Sequence, residues 1–333
     1  MFFGHTIENG VGTCEHHILV ESWGMQVLFT VVLPVFLVSG LVALLQPRLR
    51  LNGDALARTS MLVFVPAMTL QALLRAEGSL AEMARVALAV FLEVVVLLTL
   101  TTLVARWLRL DRAARGALAC SVVLVNAGAF ALPVLLFAYG EVARLPGMFH
   151  VVLFNVLLIP LTSLYLAVTQ QPEGARLAAL RGALRRVVRT PVIYAALLGL
   201  LLRLSGLILP KALLEALDLI ANGAVPLLMV LLGVQLAETF SQGWQRRQAP
   251  ALTALVVLRL IIAPLLALAL AELLGLEGIT HAALVINGGM STAILASVLA
   301  RDYGADVPLA TLGVLVTTVL GIVTTTLWLN WLL

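Results

Sequence analysis

Apolar residues run through this 333-residue chain in long blocks parted by short polar connectors, at about 25–45, 59–74, 84–104, 113–138, 148–168, 190–208, 213–237, 250–272, 279–301 and 308–331. Most are close to the roughly 20 residues that a helix needs to cross a bilayer. The pattern predicts ten transmembrane helices and no sheet. The second block is short and carries Pro66, so it is the least regular. Nine of the ten hold Pro or Gly well inside, which spanning helices tolerate where a neighbour or a cavity satisfies the freed backbone groups.

Composition agrees with this pattern. Hydrophobic residues make up 62% of the chain and charged residues 11%, against about 25% charged in a soluble domain. A leader ahead of a soluble domain does not fit, because the apolar blocks continue to Leu333. The net charge of +4 does not point to nucleic acid, since its carriers are placed by topology. Of the 21 basic residues, 15 lie in the odd-numbered connectors, among them Arg48, Arg50, Arg106, Arg109, Arg181, Arg185, Arg246 and Arg301. The positive-inside rule puts those connectors in the cytoplasm, and both termini outside an inner (plasma) membrane. Residues 1–24 stand apart as a polar extension, with Met25 as an alternative start. Its His5, Cys14, His16 and His17 fit no common metal template, and no cofactor is expected.

The interior of the chain repeats. LVNAG (124–128) lies over VINGG (285–289) at an offset of 161, and VFVPAM (63–68) over GAVPLL (223–228) at 160. Span two thereby matches span seven, and span four matches span nine. Residues 25–168 form one five-span half and 190–333 the other, joined by a basic linker at 169–189. Five is odd, so the second half enters the membrane from the opposite face. The predicted fold is all-α and polytopic: two inverted five-helix repeats, with spans four and nine broken where they cross. Inverted repeats with discontinuous helices mark secondary transporters, whose sites form near the bilayer midplane.

The breaks carry the expected chemistry. A helix restarting at mid-membrane exposes backbone N–H groups and a positive dipole end, which suits a carboxylate. Asn126, Gly128 and Pro133 mark the first break; Asn287, Gly289, Met290, Ser291 and Thr292 mark the second. Asparagine can donate and accept in such a gap.

These stretches resemble a known family. LVNAGAFALPV (124–134) is similar to the span-four signature of the auxin efflux carriers, and GGMSTAILASVLARDYG (288–304) to their ninth span. VLPVFLVSG, TPVIYAALLGLLLRLSGLILP and VPLLMVLLGVQLAE fit in order as well, so the resemblance covers residues 25–333. It implies ten helices in two inverted halves, crossed broken spans, and transport of organic anions such as auxin or small dicarboxylates. Ala131 replaces a usual glycine and Ser291 a usual proline. The resemblance supports Asn126, Gly128, Pro133 and Met290; Asn287 rests on the internal repeat.

Two ionisable groups fall inside spans, Glu93 in the third and Arg259 in the eighth. A charge at mid-bilayer is costly unless paired or facing a cavity. Arg259 is expected to contact the anion or pair with Glu93, and Glu93 to carry a coupling proton. Gln235, near the end of span seven, is a further candidate lining residue. The expected partners are a small organic anion, a coupling proton or sodium ion, lipid and, as an open point, a second copy in a homodimer. A sodium-coupled carrier of the bile-acid type is the nearest alternative, and a channel the alternative of another class. Enzyme chemistry is not expected. No HExxH occurs, and Lys211, the one lysine, follows SGLILP rather than a phosphate-binding glycine loop.

Overall fold

The computed structural model describes residues 33–75, 80–170, 191–207, 209–240 and 249–333, with isolated positions at 29 and within 177–189. The extension at 1–24 and most of the linker at 169–189 lie outside the described residues, as do Arg246 and Arg247.

The described elements are helices: α1 (Leu33–Leu49), α2 (Gly53–Leu74), α3 (Leu80–Trp107), α4 (Arg112–Val123), α5 (Leu132–Tyr139), α6 (Arg144–Leu153, continuing as Ile159–Gln170), α7 (Pro191–Ser205), α8 (Lys211–Phe240), α9 (Ala249–Leu273), α10 (Gly278–Gly288), α11 (Leu295–Tyr303) and α12 (Val307–Leu332). Among them, six stretches are long and apolar enough to cross a membrane: Gly53–Leu74, Ala81–Trp107, Ala127–Gln170, Lys211–Val234, Ala249–Leu273 and Val307–Leu332. The second block starts at Gly53 rather than 59, because Asn52 caps the helix by accepting from the Ala55 N–H at 2.9 Å. The block therefore has the length that its apolar core alone lacked.

Prolines shape four of these helices in one way. π turns occur at Ser60–Phe64, Ala127–Ala131, Phe154–Leu158 and Leu258–Ile262. Each closes two residues before a proline: Pro66, Pro133, Pro160 and Pro264. The proline ring has no N–H and crowds the carbonyl four residues earlier, so the preceding turn widens by one residue. Such wide turns recur at functional sites. Here they carry Arg259, Asn155 and the restart of the chain after Asn126.

Two sub-bundles emerge from the packing. Helices α1, α2, α7 and α8 pack on one another; α3, α4, α6, α9, α10, α11 and α12 form the other group. Small residues set the closest approaches. Gly233 of α8 lies against α1, where Ser39 Oγ donates to Met229 O at 3.0 Å. A Cβ on Gly233 would stand 2.3 Å from the Ser39 carbonyl oxygen and 2.7 Å from Val42 Cβ. Backbone cannot step aside as a side chain can, so Gly233→Ala is expected to cost about 1–3 kcal/mol through overpacking, read as a lower apparent Tm in detergent.

Candidate functional site

The chain breaks twice, and the breaks touch. Between α4 and the π turn at 127–131, Leu124 and Val125 are extended; between α10 and α11, residues 289–293 are non-helical. Val125 and Thr292 form an isolated antiparallel bridge. The Asn126 N–H donates to Ser291 O at 2.9 Å, and the Ala293 N–H to Leu124 O at 2.7 Å. Two strands of two or three residues thus satisfy each other where neither helix can. Hydroxyls complete the crossing: Thr292 Oγ1 donates to Ser121 O (2.7 Å), and the Thr292 N–H donates to Thr317 Oγ1 (3.0 Å).

Helices α4 and α10 end at this crossing with carbonyls that have no helical partner. Arg259 meets them. Its Nε donates to Met290 O at 2.9 Å, Nη1 to Val122 O at 2.7 Å, and Nη2 to Asn287 O at 3.2 Å and to Gly288 O. The side chain is 1% exposed. A rigid planar fork suits this task, because its donors diverge in fixed directions towards several acceptors. The cation also offsets the negative ends of both half-helices. Direct contact with a substrate, the sequence expectation for Arg259, is not what its geometry offers: four carbonyls already hold it.

The other side of the crossing is open. A cavity of about 850 Å³ is lined there by Asn126, Gly128, Asn155, Ser297, Arg189 and Arg301, among others. It lies between the two sub-bundles, with α2, α7 and α8 forming the facing wall through Met61, Pro191 and Leu228. It reaches Asn52, Asp54, Arg189 and Arg301, which belong to the arginine-rich connectors and their flanks. The half-helix that continues to Tyr139 begins here. Its first helical backbone bond is the π-turn bond from Ala131 N–H to Asn126 O at 3.0 Å, so the N–H groups of Gly128, Ala129 and Phe130 precede any helical acceptor. The Asn126 side chain makes no hydrogen bond among the described residues. Asn155 donates Nδ2 to Val151 O at 2.8 Å, which leaves its Oδ1 for the cavity.

The sequence candidates separate into three groups. Asn126 and Gly128 line the cavity, and a Cβ on Gly128 would meet nothing closer than Leu228 Cδ1 at 3.8 Å. Met290, Ser291 and Thr292 are buried in the crossing and build it, while Pro133 is buried at the start of α5, beyond the π turn. Gly289 packs there against Pro264 and Trp328. Asn287 sits elsewhere: with Glu93, Arg259 and His150 it lines a second cavity of only about 20 Å³. The alignment of Asn126 on Asn287 therefore does not describe the crossing. The bridge pairs Val125 with Thr292, and Asn287 belongs to the last turn before its break, whereas Asn126 follows its own. The Gln235 side chain lies outside the described residues.

Residues not singled out from the sequence include Arg301, which had been assigned to a connector, and His150, 6% exposed in α6. A histidine inside an apolar block is itself a signal. A third cavity, about 440 Å³, lies beside the opposite set of connectors and is lined by Arg75, Glu82, Glu141, His150 and Thr280.

Similarity to known proteins points the same way as this architecture. The model of a family described as membrane transport protein matches residues 27–329. An uncharacterised transporter of Methanothermobacter thermautotrophicus is 27% identical over 284 residues, 83% of this chain and 88% of its own length. One from Methanocaldococcus jannaschii is 26% identical over 159 residues, 46% of this chain and 49% of its own. A match this long, over helices of spanning length and a paired break, is that of a transporter rather than an enzyme: the chain belongs to the membrane transport protein family, the one its resemblance to the auxin efflux carriers indicated.

Proposed function

We propose that this protein is a secondary carrier of small organic anions that works by alternating access. The observation that carries the reading is the start of the second half of the broken span, where the free Asn126 amide and unpartnered N–H groups open on a large cavity between two sub-bundles. An N-terminus of this kind favours a carboxylate through both its dipole and its donors. Arg189 and Arg301 line the same space with Asp54, a local excess of positive charge that attracts an anion.

The reading takes the ten apolar segments as ten crossings in two inverted halves. The apolar stretch Ala127–Gln170 has 44 residues, which at 1.5 Å each would extend to roughly twice the thickness of a bilayer core. Gly140, at φ +71°, interrupts it, so two crossings in opposite directions account for its length. α1 and α7, with 17 and 15 residues, are then short spans. The arginine-rich connectors face the cytoplasm of a cell whose inner membrane holds the protein. The large cavity is accordingly the inward-open site, and the cavity at Arg75 and Glu141 is the vestibule on the outer side. Motion of one sub-bundle against the other exchanges access between them.

Arg259 bears on the sodium alternative. The carbonyls of Val122, Asn287, Gly288 and Met290 are the oxygens that a cation at the crossing would use, and the guanidinium already holds them. This favours a carrier with a built-in cation over one that recruits sodium to that place. With the interior negative, export of an anion is favoured by about 2.3 kcal/mol per charge per 100 mV.

The test is counterflow in proteoliposomes with labelled malate and indole acetate, where saturable exchange supports a carrier and a linear, unsaturable flux sinks it. Gly128 supplies a variant with a clear expectation. Gly128→Ala fits the space and should transport, whereas Gly128→Leu projects into the cavity and should abolish exchange without lowering apparent Tm.

A further inference from the structure

The small cavity holds an unusual set of acceptors. His150 Nδ1 lies 2.9 Å from Pro146 O. A carbonyl only accepts, so Nδ1 carries the hydrogen and the neutral ring presents a lone pair at Nε2. Nε2 is buried and has no partner among the described residues. Asn287 repeats the logic: its Nδ2 donates to Ala283 O at 2.8 Å, which leaves Oδ1 as an acceptor, likewise buried and unpartnered. Glu93, 8% exposed, faces the same cavity. About 20 Å³ is room for roughly one water. Three acceptor groups around so small a space call for a donor hydrogen, and leaving buried acceptors bare is costly.

His150 also lines the outer vestibule with Arg75, Glu82 and Glu141. It is thus the residue common to the vestibule and the Glu93 cavity. From α9, Arg259 faces Glu93; from α6, His150 does; α4, the break that follows it and α10 contribute Val123, Val125, Asn287 and Gly288, which bear no charge.

We propose that Glu93 is a proton-binding site loaded from the vestibule side through His150, and that its protonation state sets the charge offered to the anion at the crossing. In the transfer, His150 Nε2 accepts a proton from the vestibule. That N–H bond then breaks as an O–H bond forms on the Glu93 carboxylate, directly or through one water. With Glu93 ionised, it balances Arg259 and the crossing is close to neutral. With Glu93 protonated, the Arg259 charge stands alone behind the two breaks and strengthens the hold on a carboxylate across the bridge. In the outward-facing state, where the vestibule gives access to the crossing, proton and anion then bind from the same side, as a symporter requires. This rests on the carrier reading above and names its coupling ion.

The test separates the two ideas by reading the proton without any substrate. Infrared difference spectra of the purified protein between low and high pH are compared for wild type and Glu93→Gln. The expected result is a protonated-carboxyl band shielded from hydrogen–deuterium exchange, present in wild type and missing from the variant. After a pH jump the band should form at least about tenfold more slowly in His150→Ala, and imidazole in the buffer should restore the rate, which a merely structural histidine would not allow. Identical spectra for wild type and Glu93→Gln, or an unchanged rate in His150→Ala, would overturn the proposal. In voltage-clamped proteoliposomes, Glu93→Gln should keep malate counterflow but lose accumulation driven by a pH gradient. Gradient-driven accumulation equal to wild type in that variant also overturns it.

Discussion

Asn126→Ala is expected to raise the KM for the transported anion about ten- to a hundredfold and to leave the apparent Tm where it was. The first half follows from the loss of a hydrogen bond to a charged ligand, worth about 1.5–3 kcal/mol. The second follows from the geometry. The Asn126 side chain bonds to nothing in the protein among the described residues, while its backbone N–H, which any residue retains, holds the crossing through Ser291 O at 2.9 Å. Asn287→Ala provides the contrast. Its amide donates to Ala283 O and faces the small cavity, so KM should move far less than in Asn126→Ala. Equal losses in both variants would show that the site spans both cavities. An unchanged KM in Asn126→Ala would move it away from the restart of the broken span.

Arg259→Ala should be the most damaging single substitution in the core. It strips the donor from carbonyls of Val122, Asn287, Gly288 and Met290 and leaves Glu93 facing a cavity that no other arginine or lysine lines among the described residues. Breaking a buried charged arrangement by removing one member typically costs about 3–5 kcal/mol. For a chain of this size that corresponds to an apparent Tm lower by about 10 °C. Arg259→Lys keeps the charge but replaces a planar fork with a single ammonium. It should recover part of the stability and less of the transport, since one nitrogen cannot hold both half-helices in register. Thermal unfolding in detergent, followed by counterflow on the fraction that remains folded, reads the two effects separately. Wild-type stability in Arg259→Ala would mean that the crossing is held by the bridge at Val125 and Thr292 alone.

Much of this architecture is legible in the chain itself. Helix after helix follows the apolar blocks, because in lipid a backbone must satisfy its own hydrogen bonds and helices do this within one segment. The interruptions at 124–128 and 285–289 announce that two segments do otherwise, and Gly128 and Asn126 stand where a cavity opens. The four π turns each precede a proline by a fixed interval, but Pro226 lies inside α8 without one, so the prolines alone do not locate them. What misled was the matching of Asn126 to Asn287. Short apolar motifs align at several offsets, and only hydrogen bonding distinguishes the residue before a break from the residue after it.

Roles proved harder to read than positions. Arg259 within an apolar block signals function or pairing, but the acceptors that hold it lie 28 to 137 residues away, and no local pattern shows which carbonyls converge on it. The sequence marks His150 only as a histidine inside an apolar block; that it lies between two cavities is a property of packing alone. The sequence by itself determined that the chain is a helical membrane protein, where its segments lie and which two of them are broken, because those follow from hydropathy and from the local demands of Pro and Gly. The tertiary structure alone decided that the breaks pair as antiparallel strands, that a guanidinium caps both, and that one asparagine faces open space while the other faces Glu93. Those are outcomes of which distant backbone groups were left without partners, and they find them only when the helices come together.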